Sequence, residues 1–145
     1  MKKMSNVKKG FTLVEVIVVI AIIGILASFL VGAFTGIKRT TRDAQRKTDL
    51  RSIQSALEIY RSDKGNYPAS SPISSCGGSW TESSTVYIQT IPCDPLGGVY
   101  TYNYNVDGSY SLIACLEDLS DKQKDATNVS PCIDTTKWSY TLKNP

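Results

Sequence analysis

The side chains best placed for chemistry in this sequence are a lone acid, an acidic loop and four cysteines. Glu15 stands inside the apolar run "FTLVEVIVVIAIIGILASFLVGAF", Phe11 to Phe34. A carboxylate in hydrocarbon costs roughly 2.5–3.5 kcal/mol at mid-membrane and less toward the end of a span. Glu15 therefore either snorkels to the interface or meets a cation. Glu117, Asp118, Asp121 and Asp125 crowd the stretch "EDLSDKQKDATNVSP". By composition this is a solvated acidic loop. Cys76, Cys93, Cys115 and Cys132 all follow the apolar run. An even number in a short exported domain implies two disulfides, and the spacings match no zinc pattern. Four cysteines allow three connectivities. Local pairing, Cys76 with Cys93 and Cys115 with Cys132, is the expectation, each bond closing a loop worth about 3 kcal/mol.

What is missing narrows the function. The chain has no histidine, which removes the commonest general base and metal ligand. It has no Gly-x-Ser-x-Gly elbow and no phosphate-binding loop. Neither an enzyme nor a cofactor is expected from these residues.

The elements that must position these groups follow from composition. The apolar run makes a helix of about 36 Å at ~1.5 Å per residue, enough for a bilayer core of ~30 Å. It is too long for the core of a cleaved secretory signal. The only short, flexible junction, Lys9-Gly10-Phe11, precedes it. A cut between Gly10 and Phe11 would remove a basic leader and keep the whole helix. The 145 residues carry a formal charge of +3, but Lys2, Lys3, Lys8 and Lys9 belong to that leader. Beyond the run lies a basic collar, Lys38, Arg39, Arg42, Arg46, Lys47 and Arg51 against Asp43 and Asp49. The chain after Gly65 is acidic. Charges near the two ends of the run leave its orientation undecided; the cysteines place the C-terminal side outside the cytoplasm.

A cut after Gly10 also creates a cation, the α-amino group of Phe11. In an axially shifted neighbouring helix that amine could meet Glu15 and fix the register between the two chains. At this point "KKGFTLVEVIVVIAIIGILA" resembles the N-terminal signature of type IV pilins and type II secretion pseudopilins. The resemblance implies cleavage between Gly10 and Phe11 by a prepilin peptidase and N-methylation of Phe11. It also implies a leader in the cytoplasm, an inner-membrane assembly platform and self-assembly into a helical filament, with Glu15 as the acid that pairs with a neighbouring N-terminus. The implied place is a single-pass membrane anchor with the head outside, then a periplasmic or extracellular filament.

Past the membrane the helix continues. Leu50, Ile53, Leu57 and Tyr60 recur at helical spacing with Ala56 beside them, and Gly65-Asn66-Tyr67-Pro68 is a stop signal. Residues 69–84 read as a Ser/Gly/Cys-rich connector, and "VYIQTIPCDP" as a short extended piece. "VYTYNYNVDGSYSLIACLE" is a hairpin over about 99–116. A two-residue turn would put its tyrosines on the wrong face, so a three-residue loop, Val106-Asp107-Gly108, is expected with Gly108 left-handed. It pairs Tyr104 with Tyr110, Tyr102 with Leu112 and Tyr100 with Ala114. "KWSYTL" is a last strand. The expected fold is α+β, a long helix on a small antiparallel sheet. It comprises a leader (1–10), a transmembrane and filament-core helix (11–36), its amphipathic half (37–64) and a disulfide-stapled head (65–145).

"YIQTIPCDPLGGVYTYNY" further resembles pseudopilins of the major type, which often bind calcium in a loop after the hairpin. That resemblance is what points to Glu117, Asp118, Asp121 and Asp125. The Gly-rich loop of those relatives is absent here, and disulfides could replace the metal. A minor pilin that binds DNA or a surface is the alternative, its collar touching phosphates. A basic row beside a span more often meets lipid headgroups.

Overall fold

The structure, a computed structural model, describes residues 10–105 and 107–145, with the side chains of residues 30–33 and 35 outside that description. The leader (residues 1–9) and Val106 of the expected hairpin loop thus lie outside the described residues. The chain divides into two compact units, Met1–Ile37 and Lys38–Pro145. The helix α1 (Leu13–Lys64) contributes to both.

In the first unit α1 opens on a capping box. Thr12 is the cap: its Oγ1 accepts the Glu15 N–H at 3.3 Å. Glu15 reaches back, and its Oε2 accepts the Thr12 N–H at 3.3 Å. Thr-x-x-Glu satisfies two orphan helix donors in this way. The acid thus has a local reason to stand at this position. The large apolar side chains around and after it are exposed: Phe11 79%, Ile20 59% and Phe29 76%. A helix apolar all round is at home only in lipid or in a bundle. Among the described residues no helix is long and apolar enough to cross a membrane. The expected span extends to Phe34, and residues 30–33 within it have side chains outside the description.

In the second unit the periodic apolar face of α1 forms the core. Leu50, Ile53 and Leu57 are fully buried, with Ala56 and Tyr60 beside them. The helix ends at Gly65, whose φ of 82° and N–H bond to the Arg61 carbonyl at 2.7 Å make it the left-handed cap. Against this face lies a three-stranded antiparallel sheet of β3 (Thr101–Tyr104), β4 (Tyr110–Leu116) and β5 (Trp138–Lys143), with β4 central. Tyr110, Leu112, Ala114 and Leu116 alternate inward along β4 and join the helix in one core, completed by Tyr102 and Tyr140.

The hairpin register is the expected one. Tyr104 pairs with Tyr110 and Tyr102 with Leu112. Asn105 N–H donates to the Ser109 carbonyl at 2.9 Å, which leaves a three-residue loop, and Gly108 has φ 81°. The expected strand "KWSYTL" is β5, paired with β4 from Leu116–Trp138 to Ser111–Lys143. Both disulfides are local: Cys76 with Cys93, Cα atoms 5.0 Å apart, and Cys115 with Cys132, 5.4 Å apart.

The stretch read as a connector is a correction. Its end is β1 (Trp80–Glu82), paired with β2 (Thr85–Ile88) in a second, two-stranded sheet. The turn is Ser83-Ser84, both with positive φ. Serine lacks the strong left-handed preference of Asn-Gly, so the usual hairpin signal is missing. The small hairpin holds because its aromatics cover the end of α1: the Trp80 and Tyr87 rings each lie 5.1 Å from Tyr60.

One substitution isolates the turn chemistry. A Cβ on Gly108 would meet nothing nearer than the Tyr104 hydroxyl at 3.9 Å, so Gly108→Ala carries a backbone cost alone. It should destabilise the chain by about 1–2 kcal/mol. Chemical denaturation of the detergent-solubilised protein measures this, and an unchanged midpoint would contradict the left-handed turn.

Candidate functional site

The first candidate site is the head of α1. Gly10 is exposed, and a side chain there would meet nothing within 4 Å. The chain itself therefore imposes no demand for glycine. The Glu15 carboxylate lies close by in sequence, and its Oε2 also accepts the Thr12 hydroxyl at 3.2 Å. These bonds are exposed and long, so the carboxylate is oriented by its own helix start while staying open to solvent. Gly10, Phe11 and Glu15 thus sit together at the beginning of one apolar helix.

The second is a charged cluster in the second unit. The apolar stripe of α1 continues backward through Arg46 and Asp43, at the same three- and four-residue steps from Leu50. Both are buried, Arg46 at 1% exposure. Arg46 donates to Asp94 through Nε at 2.6 Å, and to Asp43 and Glu117 through one terminal nitrogen at 2.7 and 2.8 Å. Arg42 adds a two-pronged contact to Glu117, with Nε at 2.7 Å. Asp43 accepts the backbone N–H groups of Glu117 and Asp118. Asp94 is aimed at Arg46 by its own turn: its Oδ1 accepts the Leu96 N–H at 2.9 Å, and Gly97 N–H returns to its carbonyl.

The electrostatics follow this geometry. The Arg42 hydrogen bond holds the Glu117 carboxyl down at about 2, against partial burial and with Arg46 helping. Burial alone would raise Asp94, but Arg46 and the Leu96 N–H win and lower it. Burial likewise works against the charge on Arg46, and its three carboxylate partners reverse that and raise its pKa. Asp49 goes the other way; burial pushes its carboxyl up even though it accepts the Tyr100 hydroxyl at 2.7 Å.

Sequence reasoning did not single out Asp43, Arg46 or Asp94 as a unit. The available signal was the charge pair falling on the apolar period of α1. The basic collar is also corrected. Arg42, Arg46 and Lys47 turn to head carboxylates, which leaves Lys38, Arg39 and Arg51 exposed. A row of six exposed cations reaching for phosphates is not what this helix presents.

The acidic loop residues are spread over different partners. Asp118 accepts the Ser120 N–H and hydroxyl, at 2.9 and 2.5 Å. Asp121 takes Lys47 at 2.5 Å and the Gln123 N–H at 2.8 Å. Asp125 uses both oxygens on Thr141, at 3.2 Å to N–H and 2.6 Å to the hydroxyl. Among the described residues no three acidic or cysteine side chains converge as metal ligands. Asp118, Asp121 and Asp125, the residues expected for calcium, each bond to different protein groups.

Comparison with known proteins adds two matches. Residues 5–31 match the prokaryotic N-terminal methylation motif, and residues 34–130 match the family described as type II secretion system (T2SS), protein G. The chain is 36% identical to the type II secretion system core protein G of Vibrio cholerae, over 70% of this chain and 74% of that one. It is 29% identical to the core protein G of Escherichia coli K12, over 96% and 97%. For the core protein G of Dickeya chrysanthemi the figures are 31%, 67% and 69%. No solved structure gives a significant match.

Two predictions test the cluster. Arg46→Ala strands Asp43 and Asp94 and should cost about 3–5 kcal/mol of stability, read by denaturant unfolding of the solubilised chain. A loss of the size seen for exposed pairs would mean that water reaches the cluster. Glu117 has a depressed folded pKa, so the stability it supplies is complete above its unfolded value, near 4.5, and is lost as pH falls toward about 2. Glu117→Gln should therefore lower the melting temperature at neutral pH and flatten its fall over that acid window. Parallel pH profiles for the two proteins would contradict the assignment.

Proposed function

We propose, because this chain belongs to the type II secretion system protein G family, that it is a structural subunit of a pseudopilus filament. On this reading it matures by prepilin peptidase cleavage between Gly10 and Phe11, is methylated at Phe11, and waits in the inner membrane until it is assembled. What carries the reading is the stretch from Phe11 through the start of α1 to Phe29, whose large apolar side chains are exposed on every side. Exposed apolar surface of this extent needs lipid before assembly and other copies of the helix after it. The mature chain then stands in the periplasm as part of a filament, with the assembly platform and the peptidase as its partners. Its task is mechanical, and no catalytic residue is assigned.

Glu15 has two roles in sequence. In the free chain it closes the capping box with Thr12. In the filament it pairs with the Phe11 amine of a neighbouring subunit, which cannot be buried without a counter-charge. The openness around Gly10 fits a demand for glycine that comes from the peptidase.

The test separates these roles. Gly10→Val should abolish processing and leave folding intact. Glu15→Gln keeps an oxygen for the Thr12 N–H and loses the charge; Glu15→Leu loses both. Both should be inserted and cleaved, with sheared-filament yield reduced severalfold for Gln and more for Leu. Wild-type yield from Glu15→Leu at equal membrane pool would reduce the acid to a helix cap. Mass spectrometry of filaments should find chains beginning at methylated Phe11, and filaments that keep Met1 would overturn the reading.

A further inference from the structure

We propose that the head loop of residues 117–125 closes without a metal ion, and that the Lys47 ammonium, carried on α1, does the work a divalent cation would do there. The acids of this loop invite a calcium reading, but a calcium ion needs about 6–8 oxygens at ~2.3–2.6 Å converging on one point. Here the oxygens are committed elsewhere. Glu117 is held by Arg42 and Arg46, Asp118 by Ser120, and Asp125 by Thr141.

What converges instead is a cation of the protein's own. Lys47 Nζ lies 2.5 Å from Asp121 Oδ2 and 3.0 Å from Gln123 Oε1, and 5.5 Å from the centre of the Tyr140 ring. Its side chain is 13% exposed and that of Asp121 17%, so this is no loose surface pair. A second ammonium completes the set. Lys124 Nζ donates to the Leu119 carbonyl and lies 4.7 Å from the Trp138 ring. Carboxylate, amide and backbone carbonyl oxygens are the ligand types a calcium loop would gather, and two lysines take them here. The ends of the loop are fixed independently. Asp43 accepts the N–H groups of Glu117 and Asp118, and Asp125 N–H donates to the Ser139 carbonyl. Cys115–Cys132 brackets the whole segment. The consequence is a head whose fold does not respond to the calcium content of its compartment. This holds whether or not the chain builds a pseudopilus.

The experiment is limited trypsin digestion of the full mature chain in detergent, with cleavage after Lys122 and Lys124 followed by mass spectrometry. Wild type is compared in EDTA and in millimolar calcium, and with Lys47→Met, which keeps an apolar stem over Tyr140 and removes the charge. Wild-type cleavage should be equal in EDTA and calcium. Lys47→Met should be cut at least about fivefold faster, since cleavage tracks the open population, and calcium should not restore it. Calcium protection of the wild type, or unchanged cleavage in Lys47→Met, would overturn the proposal. If Lys47→Met does not accumulate, the wild-type comparison decides alone. Loss of filaments with these loop results intact would count against the filament reading only.

Discussion

The guanidinium of Arg46 is the interaction on which the second unit depends. It is a full positive charge at 1% exposure, tolerable only because Asp43, Asp94 and Glu117 all bond to it. Those partners come from α1 itself, from the turn after Cys93 and from the end of β4. A buried charge accepts no sliding, because a shifted partner leaves it stranded in a medium of low dielectric. The charge cluster therefore helps to fix how α1 lies on the sheet. Among the described residues every buried side-chain nitrogen and oxygen has a partner, so the polar core is closed as tightly as the apolar one.

The same helix has opposite needs in its two parts. From Leu50 to Tyr60 its buried stripe is satisfied within the chain. From Leu13 to Phe29 its large apolar side chains are exposed. That difference turns a stable head into an assembling subunit, because hydrophobic burial left undone in one chain is available between chains. The capping box at Thr12 and Glu15 starts the helix without using up the carboxylate's charge.

The head needs staples because it is small. Two short-range disulfides hold the segments that lack regular structure. Tyrosines do much of the remaining work, with ring bodies in the core and hydroxyls on acids of α1. Tyr87 donates to Asp63, Tyr100 to Asp49 and Tyr110 to Glu58. Each places an apolar surface and a polar tip where one side chain can serve both.

Much was legible from sequence because it is local. The apolar run, the stripe through Leu50, Ile53, Leu57 and Tyr60, the Gly65 stop and the Gly108 register all rest on periodicity or on a single backbone preference. The Ser83-Ser84 hairpin was not legible, since its support is aromatic packing on a helix distant in sequence, and serine is a weak turn signal. The family signature at Gly10, Phe11 and Glu15 could be read as a pattern, whereas the bond between Glu15 and Thr12 needed the helix start in three dimensions. The sequence by itself determined the long helix, the hairpin over about 99–116 and the last strand, which faces are apolar and that the cysteines are paired. Only the tertiary structure decided the fate of the charges. Arg46 meets Asp94 across 48 residues and Glu117 across 71, and Lys47 meets Asp121 across 74. Whether a charge is a solvated face, a ligand or a clamp depends on what lies within hydrogen-bond reach after desolvation, and that distance is set by the fold.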